Sequence, residues 1–157
     1  MAVINSKTTA RIAAIQALYQ FEMNGRTDSV ESLTNNIQQS YIGEDFKELF
    51  DIPENISMKL HNTYCAKLIS TTIENLEKLD EVITLHLVDG WKYSNLHFSM
   101  VALLRVAITE ILYCPDTPSK VVINEFTNIG SSLAKQSEVA FINSLLDKLC
   151  KEYRNEQ

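Results

Sequence analysis

Hydrophobic positions recur along this chain at intervals of three and four, the period of one helix face. In the first segment Ala10, Ala13, Ala14, Ala17 and Phe21 fall on one side, while Ile15, Leu18, Tyr19 and Glu22 occupy the next. Asn24-Gly25 then supplies a C-terminal stop, and the small residues let a second helix approach closely. Ser29 to Gln39 reads as a short helix, followed by a polar, acidic connection, YIGEDFKELFDIPEN, expected to be partly helical. A long helix is predicted from about Ile56 to Leu87, its inner stripe being Ile69, Ile73, Leu76, Ile83 and Leu87, and the loop VDGWKYSN follows it.

Between Phe98 and Tyr113 the charges are Arg105 and Glu110 alone, and apolar residues surround the whole circumference. That is how a helix at the middle of a bundle reads. It is predicted to end near Cys114-Pro115, inside the stretch CPDTPSKVVINEF, where Thr117 is placed to be an N-cap and Pro118 to be the first helical residue. The polar turn therefore starts a new helix, with Val122, Phe126, Ile129 and Leu133 facing the core. A last helix, opened by Ser137 and built on Ile142, Leu145, Leu146, Leu149 and Tyr153, closes the chain, and the tail from Arg154 is expected to fray. Four glycines and three prolines give too little turn chemistry for a β-sandwich or barrel. The expected fold class is all-α, with six or seven helices and no sheet.

At 157 residues and 45% hydrophobic content the chain suits one domain that buries about two thirds of the surface its unfolded form exposes. The cysteines, Cys65, Cys114 and Cys150, are odd in number and never paired as CxxC, which argues against a disulfide framework or zinc site and for a reducing, cytoplasmic location. No stretch approaches the roughly 20 apolar residues of a membrane span, and the N-terminus is too polar for a secretory signal. A net charge of −6 argues against wholesale electrostatic binding of nucleic acid. Its distribution matters, because residues 1–21 carry Lys7 and Arg11 with no acid, and residues 119–157 balance five bases against five acids. A polyanion is therefore expected to meet the two ends of the chain.

Catalytic patterns are missing. Gly25, Gly43, Gly90 and Gly130 are isolated, so there is no phosphate-cradling loop. His61, His86 and His97 lack metal-ligand spacing. Glu110 and Glu125 read as ion-paired structural carboxylates instead of an acid/base pair. No catalytic residue, cofactor or metal is expected, and the chain does not read as an enzyme. Arg105, in an apolar helix, must find partners, and is expected to be a clamp to a helix end or to an acid such as Glu110 or Glu125. Tyr19, Trp91, Tyr93, Phe98 and Phe141 are candidate stacking platforms for unpaired bases, although each taken singly reads as packing.

Three segments, ARIAAIQALYQFE, LLRVAITEILYCPDTPSKVVINEF and FINSLLDKL, resemble in order and spacing those of the NusB family of transcription antitermination factors. The resemblance implies one domain over residues 1–157, made of two packed three-helix bundles, at about 1–88 and 95–153. It implies binding of the boxA element of ribosomal RNA leader transcripts together with the ribosomal protein NusE, and a place in the RNA polymerase antitermination complex, without catalysis. The family's arginine-rich first turn matches NSKTTAR, which keeps only Lys7 and Arg11. The resemblance also implies that Tyr19 lies at the partner or RNA surface and Phe141 near the RNA. Met100 matches a position that can carry an acid facing NusE, and Ser137 one that can hold an aspartate. Asn124 and Asn143 then read as amides that lock adjacent helix ends, with Glu125 a structural neighbour. Lys120 and Lys135 are the nearest further cations. Three or four neutralised phosphates give an expected log–log salt slope of about −2 to −3 on a single strand. The RNA surface is therefore expected to combine the first helix with the start of the last and to work in company with NusE. Two rivals are the RNA-binding front end of ribosomal RNA cytosine methyltransferases, which would add an α/β domain with a glycine-rich loop, and a purely protein-binding helical module. A monomer and a homodimer both fit.

Overall fold

The computed structural model describes residues 3–40, 57–58, 60–87 and 90–154. Expectations for the YIGEDFKELFDIPEN connection, for a helix start near Ile56 and for Val88-Asp89 lie outside these residues. Among the described residues there are seven α-helices: α1 Ser6–Met23, α2 Val30–Ser40, α3 Asn62–Glu74, α4 Leu76–His86, α5 Phe98–Tyr113, α6 Ser119–Leu133 and α7 Gln136–Tyr153. A single 3-10 turn spans Tyr93–Asn95. The all-α class read from the periodicity is met, with one small exception to the absence of a sheet. Val3–Ile4 (β1) pairs in parallel with Ser57–Met58 (β2) over two residues, too short to form a layer.

Two compact units are present, residues 1–73 and 74–157. The division falls at the last residue of α3, next to Asn75, where the long helix expected from about Ile56 to Leu87 is broken: the φ of −122° and ψ of 22° there are not helical. An asparagine bonds locally as readily as it joins a helix ladder. Here its carbonyl accepts from Leu79 N at 2.9 Å, opening α4, and its Oδ1 accepts from Tyr113 Oη at 3.2 Å. The single apolar stripe becomes two, with Cys65, Leu68 and Ile69 buried on α3, and Leu79, Val82 and Ile83 on α4.

In the first unit Asn5 caps α1, its Oδ1 accepting from Lys7 N at 2.8 Å. The helix stops as expected at Asn24-Gly25, where Gly25 (φ 73°) takes the left-handed backbone that costs glycine nothing. Arg26 (φ 62°) follows it there, tied back to Glu22 by two bonds of 2.9 and 2.8 Å. Ala10, Ala13, Ala14 and Ala17 are fully buried, and α2 packs on α1.

The second unit is organised around α5, buried at every position from Met100 to Ile111. Helices α6 and α7 pack on each other and on α5, and α4 also packs on α5. A Cβ added at Gly130 of α6 would stand 3.0 Å from Ile142 Cδ1 and 3.6 Å from Leu103 Cδ1, so glycine sets how closely the three helices approach. The cap of α6 is Pro118, one residue later than expected. Its carbonyl accepts from Val121 N and Val122 N at 3.0 and 3.1 Å. Helix α7 begins one residue before Ser137, with Lys135 N donating to Glu138 Oε1 at 2.8 Å.

Arg154 is not part of a frayed tail. Its Nε donates to Ile111 O at 3.0 Å, Nη1 to Thr117 O at 2.6 Å and Ser119 Oγ at 3.2 Å, and Nη2 to Glu110 O and Cys114 O at 3.0 Å each. The guanidinium thus closes the end of α5, the CPDTPS turn and the start of α6 onto the end of α7. Arg154→Ala should destabilise the protein by about 2–4 kcal/mol in urea denaturation, since Ile111 O and Thr117 O lose their donor at roughly 1–3 kcal/mol each, while Glu110 O and Cys114 O keep Cys114 N and Thr117 N. Lysine, a point charge without the planar fork, should not rescue it. An unchanged midpoint for Arg154→Ala would mean that the tail carries no structural load.

Candidate nucleic-acid interface

In the first unit Lys7 and Arg11 lie one turn apart on α1, and both reach one ring. Lys7 Nζ is 5.0 Å and Arg11 Cζ 5.7 Å from the centroid of Tyr64, in the first turn of α3. Cations are drawn to an aromatic face by its quadrupole. Tyr64 is held in turn by His61, whose Nδ1 accepts from Tyr64 N at 3.2 Å and whose own N–H donates to Ser6 O at 3.2 Å. The two cations expected to meet phosphate therefore differ: Lys7 is exposed, whereas Arg11 is only 3% exposed and serves the packing of α1 against α3. Tyr19, expected at a partner surface, is 37% exposed on α1, with Met23 exposed one turn further on.

The second unit leaves Lys120, Lys135 and Ser137 exposed. Met100, expected to face a partner, is 2% exposed. The apolar surface at the start of α5 belongs instead to Phe98, at 54%. Here His97 caps α5, its Nδ1 accepting from Met100 N at 3.3 Å, and its Nε2 meets Glu138 Oε2 at 2.9 Å. The Lys135 backbone N–H, then the His97 contact, hold the Glu138 carboxyl below its usual range against the opposing effect of burial.

Phe141 is 7% exposed, because Trp91 covers it. The two rings stack with centroids 4.3 Å apart and planes at 19°, a favoured aromatic geometry. Beside them opens a pocket of about 250 Å³, lined also by His86, Ser137, Ser144 and Lys148. His86 is fixed on every side: Nδ1 bonds Val82 O at 2.8 Å, Nε2 bonds Glu152, and the ring meets Tyr153 edge-on at 5.6 Å.

Arg105 is a buried clamp, as expected, but with a different acid. Its Nε and Nη2 reach Asp80 Oδ1 and Oδ2 of α4, both at 2.9 Å, and Nη2 also meets Tyr93 Oη at 3.2 Å. Burial, aided by Asp80 and opposed by Arg105, raises the Tyr93 hydroxyl pKa. Asn143 Nδ2 donates to Thr127 Oγ1 at 3.2 Å, tying α7 to α6, whereas Asn124 is exposed on α6 and Glu125 half-buried. Burial pushes the Cys65 thiol up to about 12, which leaves no thiolate nucleophile there near neutral pH. Sequence reasoning missed Asp80, Tyr64 and Arg154. A half-buried acid between Leu79 and Val82 on an amphipathic face was the one available sign of the first, and the other two carry none.

The profile of the NusB family matches residues 8–151. A transcription antitermination protein NusB of Rickettsia massiliae is 39% identical over 150 residues, covering 96% of this chain and 94% of that protein. The Rickettsia typhi protein of the same name is 39% identical over 149 residues, covering 95% and 94%. Among solved structures, T. maritima NusB superposes with a TM-score of 0.72 at 24% identity over 98% of this chain and 94% of that one. A chain from a crystal structure of antitermination factors NusB and NusE in complex with dsRNA gives 0.73 at 19% identity over 94% of this chain and 98% of that one.

Arg105→Ala should cost about 1.5–3 kcal/mol, the scale of hydrogen bonds to a charged group, below that of a fully buried ion pair because the Asp80 side chain is 29% exposed, while the folded fraction keeps whatever RNA affinity the parent has. Thermal melting and RNA titration on the same sample check this. A variant that melts like the parent yet loses RNA would move Arg105 to the binding surface.

Proposed function

The chain belongs to the NusB family, and on that premise we propose that it binds boxA RNA of ribosomal RNA leader transcripts together with the ribosomal protein NusE, and couples that RNA to RNA polymerase in the cytoplasm as a transcription antitermination factor. It acts by binding and not by catalysis. The observation that carries the RNA reading is the stacked Trp91–Phe141 pair beside an open pocket, since ring faces hold unpaired bases at about 1–3 kcal/mol each. Exposed Lys7, Lys120 and Lys135 supply phosphate contacts, which set affinity without selecting sequence. With Arg11 turned inward that electrostatic grip is weak, so NusE contributes a large share of the binding; among the described residues, Tyr19 in the first unit and Phe98 in the second are exposed aromatic residues, each a candidate contact for it.

Titration of labelled boxA RNA with and without NusE tests this. NusE should tighten binding. Lys7→Ala, Lys120→Ala and Lys135→Ala should each weaken boxA and a scrambled strand by the same small factor, on the scale of an exposed ion pair, about 0.2–1 kcal/mol. Equal affinity for the two strands, unchanged by NusE, would contradict the reading.

A further inference from the structure

We propose that the pocket beside Trp91 receives one unpaired RNA base, with Trp91 as the stacking ring and Lys148 as the cation for the adjoining phosphate. This rests on the RNA-binding reading above. Phe141 is 7% exposed with Trp91 against it, so Phe141 backs the wall, and half-buried Trp91 is the ring that retains more open surface. At about 250 Å³ the pocket falls below the roughly 300–1,000 Å³ of sites for drug-sized ligands. A single heterocycle fits that space, and its sugar and phosphate remain outside.

The edges of the pocket match such an occupant. Ser137 and Ser144 bring hydroxyls that both donate and accept, as base edges require, and Lys148 is exposed where a phosphate would stand. His86 offers no free nitrogen, because Val82 O and Glu152 take both, so it is a fixed wall. Gly90, at φ 89°, sets the backbone leading into Trp91 in a region side chains rarely adopt. Stacked on Phe141, the ring is already placed before RNA arrives, and little side-chain freedom is lost on binding.

The test is the affinity of fluorescein-labelled single-stranded boxA RNA, read by anisotropy with NusE saturating, for the parent, Trp91→Ala, Trp91→Phe and Lys148→Ala, with melting curves for each. Trp91→Ala should bind about five- to hundredfold more weakly, the equivalent of about 1–3 kcal/mol of stacking, and Trp91→Phe should recover most of that. Lys148→Ala should flatten the log–log salt slope by about 0.7, one phosphate on a single strand. Folded Trp91→Ala and Lys148→Ala proteins that bind RNA like the parent overturn this proposal, and the RNA reading then rests on the family match and the other exposed lysines. A parent that binds no RNA overturns both. If Trp91→Ala loses NusE in the absence of RNA, the pocket takes a protein side chain, and the base proposal fails.

Discussion

A helix buried on all sides still ends, and its last carbonyls have no partner within the helix. In the second unit α5 meets this constraint completely, because it is buried through Ile111. Arg154 resolves it. A guanidinium has five N–H donors in a fixed fork, and Arg154 spends them on Glu110 O, Ile111 O, Cys114 O, Thr117 O and Ser119 Oγ. The polar, proline-bearing turn between α5 and α6 is shaped to present those oxygens to one cation. Its prolines lack N–H groups; Glu110 O and Cys114 O accept locally from Cys114 N and Thr117 N, and Arg154 adds a second donor to both and supplies the donor to Ile111 O and Thr117 O.

That clamp makes α7 a fixed rail. At its start Glu138 meets His97, at its middle Asn143 meets Thr127, and at its end Arg154 grips the joint. Phe141, Ser144 and Lys148 are carried on this rail, and Trp91 is laid against it from the loop before α5. The pocket is therefore held by the same contacts that hold the bundle. In the first unit the chemistry runs the other way: Arg11, a cation that a polyanion could have used, is committed to Tyr64 and to packing.

Much of this was legible in the residues. The all-round apolar α5 and the stripe of α6 carry their periods plainly, and the three segments that resemble the NusB family lie in α1, across α5–α6 and in α7. The break at Asn75 was not legible, since an asparagine inside a helical pattern marks no boundary unless a partner such as Tyr113 takes its side chain. Arg105 advertised its need for an acid but not the identity of Asp80, 25 residues away. Arg154 read as a polar tail because four of its five acceptors are backbone carbonyls, which any sequence possesses. Met100 was placed at a surface by resemblance and Arg11 by charge distribution as well, and both are buried, whereas their neighbours Phe98 and Lys7 are exposed.

On the proposed function, ring stacking holds RNA more than charge does. The most direct measurement is the slope of log K against log salt for single-stranded boxA RNA and the chain without NusE. The four exposed lysines assigned to phosphate, Lys7, Lys120, Lys135 and Lys148, at about 0.7 per phosphate on a single strand, predict a slope no steeper than about −3. A slope of about −5 or steeper would contradict it, placing the RNA on a basic surface beyond these four lysines.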